Sequence, residues 1–184
     1  MLIKRVAPFV VLVSTAVYPP AYNDTYIKTT TKTLDMDGFK SLDPSQPLTG
    51  DAYPYCWMSN NGQASNQRLH VDLGTSLIIH KIDYVNYHNA GYNTNRGGQG
   101  FSVQGSNSAT SFAELTYSTD TGWTTISKSP TSLVRHTEGS NTAIWNSITL
   151  TNETAYRYWA IKLASNYGDA SYMGLRRLLF YALL

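Results

Sequence analysis

Cysteine and charge are what this chain has least of. The single Cys56 excludes an internal disulfide and a cysteine-rich zinc site, and it reads as a small buried hydrophobe beside Trp57. Charged residues make up only 14% of the chain, against about a quarter in ordinary soluble domains, and the net charge is +2. Lys and Arg cluster nowhere beyond Lys4-Arg5 and Arg176-Arg177. So weak a basic field cannot neutralise a run of phosphates, which excludes nucleic acid as a partner. His70, His80, His88 and His136 lack a metal-type pairing such as His-x-x-x-His. Gly97-Gly98-Gln99-Gly100 is followed by neither Lys-Ser/Thr nor a helix start, so it is not a phosphate loop. No internal repeat points to a solenoid or propeller, and no amphipathic helix of ordinary length is visible. The apolar run Val6 to Val17 is too short, and too interrupted by Pro8, to span a bilayer.

What is present is neutral, polar and phenolic: 14 Tyr in a chain rich in Ser, Thr and Asn. Strand-like runs occur at 67–73, 77–87, 100–105, 123–128, 144–150, 156–164 and 174–182, separated by Gly, Asn, Ser and Thr. Several alternate as half-buried strands do. Leu69, Val71 and Leu73 share one face opposite Arg68, His70 and Asp72. Ile148 and Leu150 alternate with Trp145, Ser147 and Thr149, and Trp159, Ile161 and Leu163 with Tyr158, Ala160 and Lys162. A short helix is expected near 108–114. The pattern predicts an all-β protein, an antiparallel β-sandwich of seven or eight strands in two sheets. Residues 1–50, with Pro19-Pro20, Thr29-Thr30-Thr31, Pro44 and Pro47, read as an extended N-terminal arm, and 51–184 as the sandwich domain. Residues 1–16 fit either of two descriptions. One is an uncleaved assembly arm or strand, laid against the domain or a neighbour. The other is a secretory signal ending near Ser14-Thr15-Ala16.

Trp57 and Ser59 upstream of Val71-Asp72-Leu73-Gly74 resemble the discoidin, or coagulation factor 5/8 type C, family. So do the following run Ile78 to Val85, Phe101-Ser102-Val103-Gln104-Gly105-Ser106, Thr121-Gly122-Trp123-Thr124, Arg157-Tyr158-Trp159-Ala160-Ile161 and Gly174-Leu175-Arg176-Arg177-Leu178. The resemblance covers roughly residues 50–182 and implies a galactose-binding-like jelly roll, a fold that binds more often than it catalyses. Sugar-binding members often hold a structural calcium through an acid in the last strand. Here that strand reads Leu178-Leu179-Phe180-Tyr181, and the cysteine pair of extracellular members is also missing, so neither metal nor cofactor is expected.

No nucleophile–base pair or paired carboxylates present themselves, so no enzyme is expected; Asp72 reads as a hydrogen-bonding residue of the fold motif and His88, which opens a Gly-rich loop, as the histidine of most interest. Ligands of this fold usually meet the loops at one end. Two loops stand out: Asn89 to Gly98, offering Tyr92, Asn93 and Arg96, and Asn166 to Tyr172, offering Asn166, Tyr167, Asp169 and Tyr172. Aromatic faces beside amide, carboxylate and guanidinium groups suit a sugar ring, a protein interface or a plain turn. Tyr53 and Tyr55 form a further aromatic patch. Similar compact, disulfide-free modules occur in bacteria and in bacteriophage particles. The leading expectation is therefore a non-enzymatic virion structural protein, a capsid decoration or tail accessory. Its arm would anchor it to neighbouring subunits or to itself as a homo-oligomer, and its loops would bind protein or a cell-surface glycan. The alternative is a secreted carbohydrate-binding module or lectin.

Overall fold

The computed structural model describes residues 13–184. Within them lie ten strands: β1 (Ser14–Val17), β2 (Ile27–Thr29), β3 (Trp57–Met58), β4 (Gln67–Leu77), β5 (Ile79–Asn86), β6 (Phe101–Ser106), β7 (Thr124–Ser129), β8 (Trp145–Thr151), β9 (Tyr156–Leu163) and β10 (Gly174–Leu183). One five-residue helix, α1 (Ala109–Ala113), starts at Ser108, whose side chain accepts from the Ser111 amide. All ladders are antiparallel. The order β1-β10-β5-β8-β7-β6-β9-β4-β2, with β3 on β10, makes one sheet curled back on itself. β7 pairs with β8 in one layer and β6 in the other, so it closes one side of the sandwich. This is the expected jelly-roll sandwich.

The core lies where alternation places it. Leu69 of β4, Ile161 of β9 and Val103 of β6 stand in register across one layer. Ile82 of β5 pairs with Ile148 of β8 and Phe180 of β10 across the other. All six are buried, around Trp57 and Trp159. Each indole N–H has a carbonyl partner, Thr31 for Trp57 at 2.9 Å and Tyr156 for Trp159 at 3.0 Å, so neither large ring buries an unpaired donor. Cys56 is fully buried, and burial pushes its thiol pKa up to about 12.

Two of the sequence runs singled out above meet as an ion pair. Asp72 accepts the Gly74 amide at 2.7 Å, where the register of β4 on β9 shifts, and takes both Nε and Nη2 of Arg157 at 2.8 and 2.9 Å. The opposite face of β4 is not open to water. Arg68, His70 and Asp72 are all buried. Arg68 donates to Thr116 and Thr119 carbonyls and to Gln104, and the His70 ring bonds the Phe112 carbonyl at 2.9 Å. A long connection carrying α1 covers this face, which period-two alternation cannot reveal.

The expected arm needs a correction over its described part. Its first twelve residues lie outside the described residues. From Ser14 the chain pairs with β10, Val17 opposite Phe180, and Ile27–Thr29 pairs with β4. Ile27, Met36 and Leu42 are buried, and Ser41 Oγ bridges the Leu175 carbonyl and the Trp57 amide at 2.6 and 2.8 Å. Residues 14–50 therefore build the sandwich and its core rather than extending away from it. A cut after Ala16 would also pass through β1.

Candidate functional site

Both loops singled out in the sequence lie at the same end of the sandwich, and the structure joins them. β5 delivers the first, and β9 and β10 flank the second. Gly98 bridges Asn166, and the Tyr167 amide donates to the Asn95 carbonyl at 3.0 Å. Between them, Arg96 Nε donates to Asp169 Oδ2 at 3.1 Å, and the Arg96 guanidinium lies 4.9 Å from the Tyr172 ring centroid. Burial opposes the charge on Arg96, but Asp169 and the Tyr87 hydroxyl outweigh it and raise its pKa. Burial likewise opposes ionisation of Asp169. The amides of Ser171 and Tyr172, both bonded to Oδ1 at 2.8 Å, and then Arg96, bring its pKa below the usual value.

The seven expected site residues thus divide by role. Asn166 faces its own loop: Nδ2 donates to the Asp169 and Tyr172 carbonyls at 2.8 and 2.7 Å, and Oδ1 accepts the Gly168 amide. Tyr167 gives its hydroxyl proton to the Leu133 carbonyl. Asp169 and Arg96 tie the loops together, and the Tyr172 ring lies against the Arg96 guanidinium. Tyr92, 61% exposed, and Asn93 stand out into solvent. Tyr92 is held there by a tight turn in which its amide and carbonyl both bond Asn89 at 2.8 Å. Ala90 and Asn93 are in the left-handed region, at φ of 49° and 54°. Gly91 is left-handed too, and a Cβ on it would sit 2.8 Å from the Ser140 backbone, so the turn needs glycine there for two reasons.

Sequence reasoning missed a third loop. Residues 131–142 reach the first loop through the Gly139 amide, which donates to the Gly91 carbonyl at 2.8 Å. Arg135 Nε donates to Thr94 Oγ1 at 2.8 Å, and Thr94 in turn donates to the Glu138 carboxylate. Arg135 and Glu138 are about half exposed and pair at 3.3 Å, a charged couple beside the aromatic loop. Their signal was an Arg and a Glu three apart in an otherwise nearly uncharged stretch. The segment holding Tyr53 and Tyr55, both exposed, adjoins the first loop through Ala90 N to Gly50 O at 2.9 Å and Ala52 N to Asn89 Oδ1 at 2.7 Å.

His88 is fully buried and serves this framework. It stacks on His136 with centroids 4.0 Å apart. Nδ1 accepts the Gly91 amide at 3.2 Å, so Nε2 carries the proton donated to the Leu48 carbonyl at 3.0 Å. Burial, then neighbouring His136 and Arg176, depress its pKa to about 4, so the ring is neutral at pH 7. Among the described residues, no group of three or more His, Cys, Asp or Glu could hold a metal, and no helix is long and apolar enough to cross a membrane.

No protein-family model matches the sequence, and no curated protein matches it. Solved structures do match in fold. A truncated AlyQ with family 32 carbohydrate-binding and alginate lyase domains aligns over 94% of this chain at 17% identity and a TM-score of 0.59. The match spans 34% of that longer protein. The family 32 carbohydrate-binding module of Clostridium perfringens NanJ, solved with galactose, aligns over 92% of this chain and 99% of its own, at 13% identity and TM-score 0.56. The lectin domain of lectinolysin, solved with Lewis B antigen, aligns over 85% of this chain and 91% of its own, at 15% identity and TM-score 0.54. The chain has the galactose-binding-like, discoidin-type fold of these modules.

Proposed function

We propose that this chain is a carbohydrate-binding module that takes a glycan on the loop end, with Tyr92 as stacking platform. Asn93, Arg96, the Tyr172 ring and the Arg135–Glu138 couple supply polar contacts around it. The single observation that carries the reading is an exposed Tyr92 set on a rigid turn beside cross-braced charged groups. A sugar needs that combination: a flat apolar surface for its C–H face and directional donors and acceptors for its hydroxyls. The solved neighbours named above include modules bound to galactose and to Lewis B antigen, which supports a galactose-type or fucosylated glycan as the first class to try.

This favours the alternative of the sequence reading over its leading expectation. The virion role rested on similar modules in bacteriophage particles and on a projecting arm, and residues 14–50 are instead part of the sandwich. A location outside the cell goes with the glycan reading. Any signal cleavage that keeps β1 would fall before Ser14. The test is a glycan array probed with the intact chain and with Tyr92→Ala. The proposal expects discrete hits that the variant loses; an array without hits, or hits unchanged in the variant, would overturn it.

A further inference from the structure

A second cleft lies on the outer face of the β10-β5-β8 layer, beside the framework of the loop end. Arg177 of β10 is opposite Val85 of β5, which is opposite Trp145 of β8, so the three side chains share one face across three strands. Tyr18 follows β1 on the far side of β10, and Pro44 and Leu48 overhang from the segment before β3. Together with Leu42, Leu178 and Leu179 these residues line a cleft of about 280 Å³. Trp145 and Tyr18 are 45% and 44% exposed, so a large aromatic surface lies open at its mouth.

The cation of the cleft makes no direct ion pair among the described residues. Arg177 is 6% exposed. Its Nη2 donates to the Gln46 carbonyl at 2.6 Å, while its buried Nε has no partner among the described residues. Asp43 acts on it across space, but the Asp43 oxygens accept from Ser45 and Gln46. A buried guanidinium left unpaired is costly, and a carboxylate that reaches it removes that cost through a charge-assisted bond. An acidic group carried on a sugar ring would meet the cation while the apolar C–H face of the ring covers the indole. The volume suits one ring rather than a peptide segment.

From the register of Arg177 with Trp145, the lack of a direct ion pair at Arg177 among the described residues and the aromatic mouth, we infer that this cleft binds a uronic acid residue. Its carboxylate lies against Arg177 and its ring against Trp145 and Tyr18. The lining of the cleft does not include Tyr92, and the inference stands whether or not Tyr92 serves a glycan.

The experiment titrates the full chain with sodium glucuronate, glucose and sodium acetate, following the Trp145 indole N–H resonance. Saturable shifts with glucuronate, at least tenfold weaker with glucose and with acetate, are expected. Trp145→Ala, followed through the Tyr18 ring resonances, should weaken glucuronate binding at least tenfold with the fold intact, and Arg177→Lys should weaken it too. Tyr92→Ala should leave it unchanged, which separates this cleft from the Tyr92 platform. Equal response to glucose would remove the role of the carboxylate, and equal response to acetate that of the ring. Either result, or undiminished binding in Trp145→Ala, would overturn the inference.

Discussion

Arg96 and Asp169, 73 positions apart in sequence, meet at 3.1 Å between the two loops that the sequence marked as candidate binding elements. Both side chains are mostly buried, and Asp169 also holds two backbone amides of its own loop. The pair therefore acts as a brace. It fixes the position of the second loop relative to the turn carrying Tyr92.

Removing that brace should cost stability as well as binding. Asp169→Ala leaves a partly buried guanidinium and two amides without their acceptor, a loss of about 2–3 kcal/mol. For a domain of this size the melting temperature should fall on the order of 5–10 °C. Scanning calorimetry checks this. A shift under about 2 °C would mean that the loops are held by other contacts.

Tyr92→Ala should behave in the opposite way. The ring is largely exposed and its turn is held by backbone bonds with Asn89, so the melting temperature should move by less than about 2 °C. Glycan affinity should fall at least tenfold. Tyr167→Phe removes the bond to the Leu133 carbonyl and should give a small stability loss, about 1 kcal/mol, measurable by denaturant unfolding.

Acid should destabilise the fold through two buried histidines. Burial lowers the pKa of both His70 and His88 from 6.5 to about 4. Between those values the unfolded chain binds protons that the folded chain refuses, so stability is present above about pH 6.5 and is lost as pH falls toward 4. At pH 5 the pair should account for a loss on the order of 2–4 kcal/mol relative to pH 7. His88→Gln should flatten part of that dependence in a series of melts from pH 7 to 4.5.

Deleting residues 1–50 should prevent folding rather than yield a stable monomer. The deletion removes buried Ile27, Met36 and Leu42, roughly 5–8 kcal/mol of apolar burial, together with two strands. That is comparable to the whole stability of an ordinary domain. Circular dichroism and proteolysis of the truncated chain decide the matter; a cooperative melt would contradict the account.

Much of the fold was legible because strand alternation is local. Leu69, Val71 and Leu73, or Ile148 and Leu150, declare their faces within a few residues, and the strand from Gln67 and the one ending at Leu163 start or stop within a residue or two of expectation. β2 was not legible, and β1 only as one of several readings of the N-terminus, a strand laid against the domain, without its partner or register. Ser14-Thr15-Ala16-Val17 and Ile27-Lys28-Thr29 are too short to show a period, and their pairing depends on partners far along the chain. The candidate site was legible as composition, Tyr set among Asn and Gly, but not as roles. The same side-chain types could face out or in. Asn166 turns inward because its amide closes its own loop, while Tyr92 stands out because backbone bonds satisfy its turn. The stacking of His88 on His136 and the approach of Arg135 to Thr94 arise only when three loops converge, and no local pattern encodes that.

The most direct test of the central claim is amide chemical-shift mapping of the intact chain titrated with the leading glycan from the array. The account predicts saturable shifts concentrated at residues 89–98, 135–139 and 167–172, absent in Tyr92→Ala. Shifts concentrated elsewhere on the sandwich, or no saturable shift at all, would contradict it.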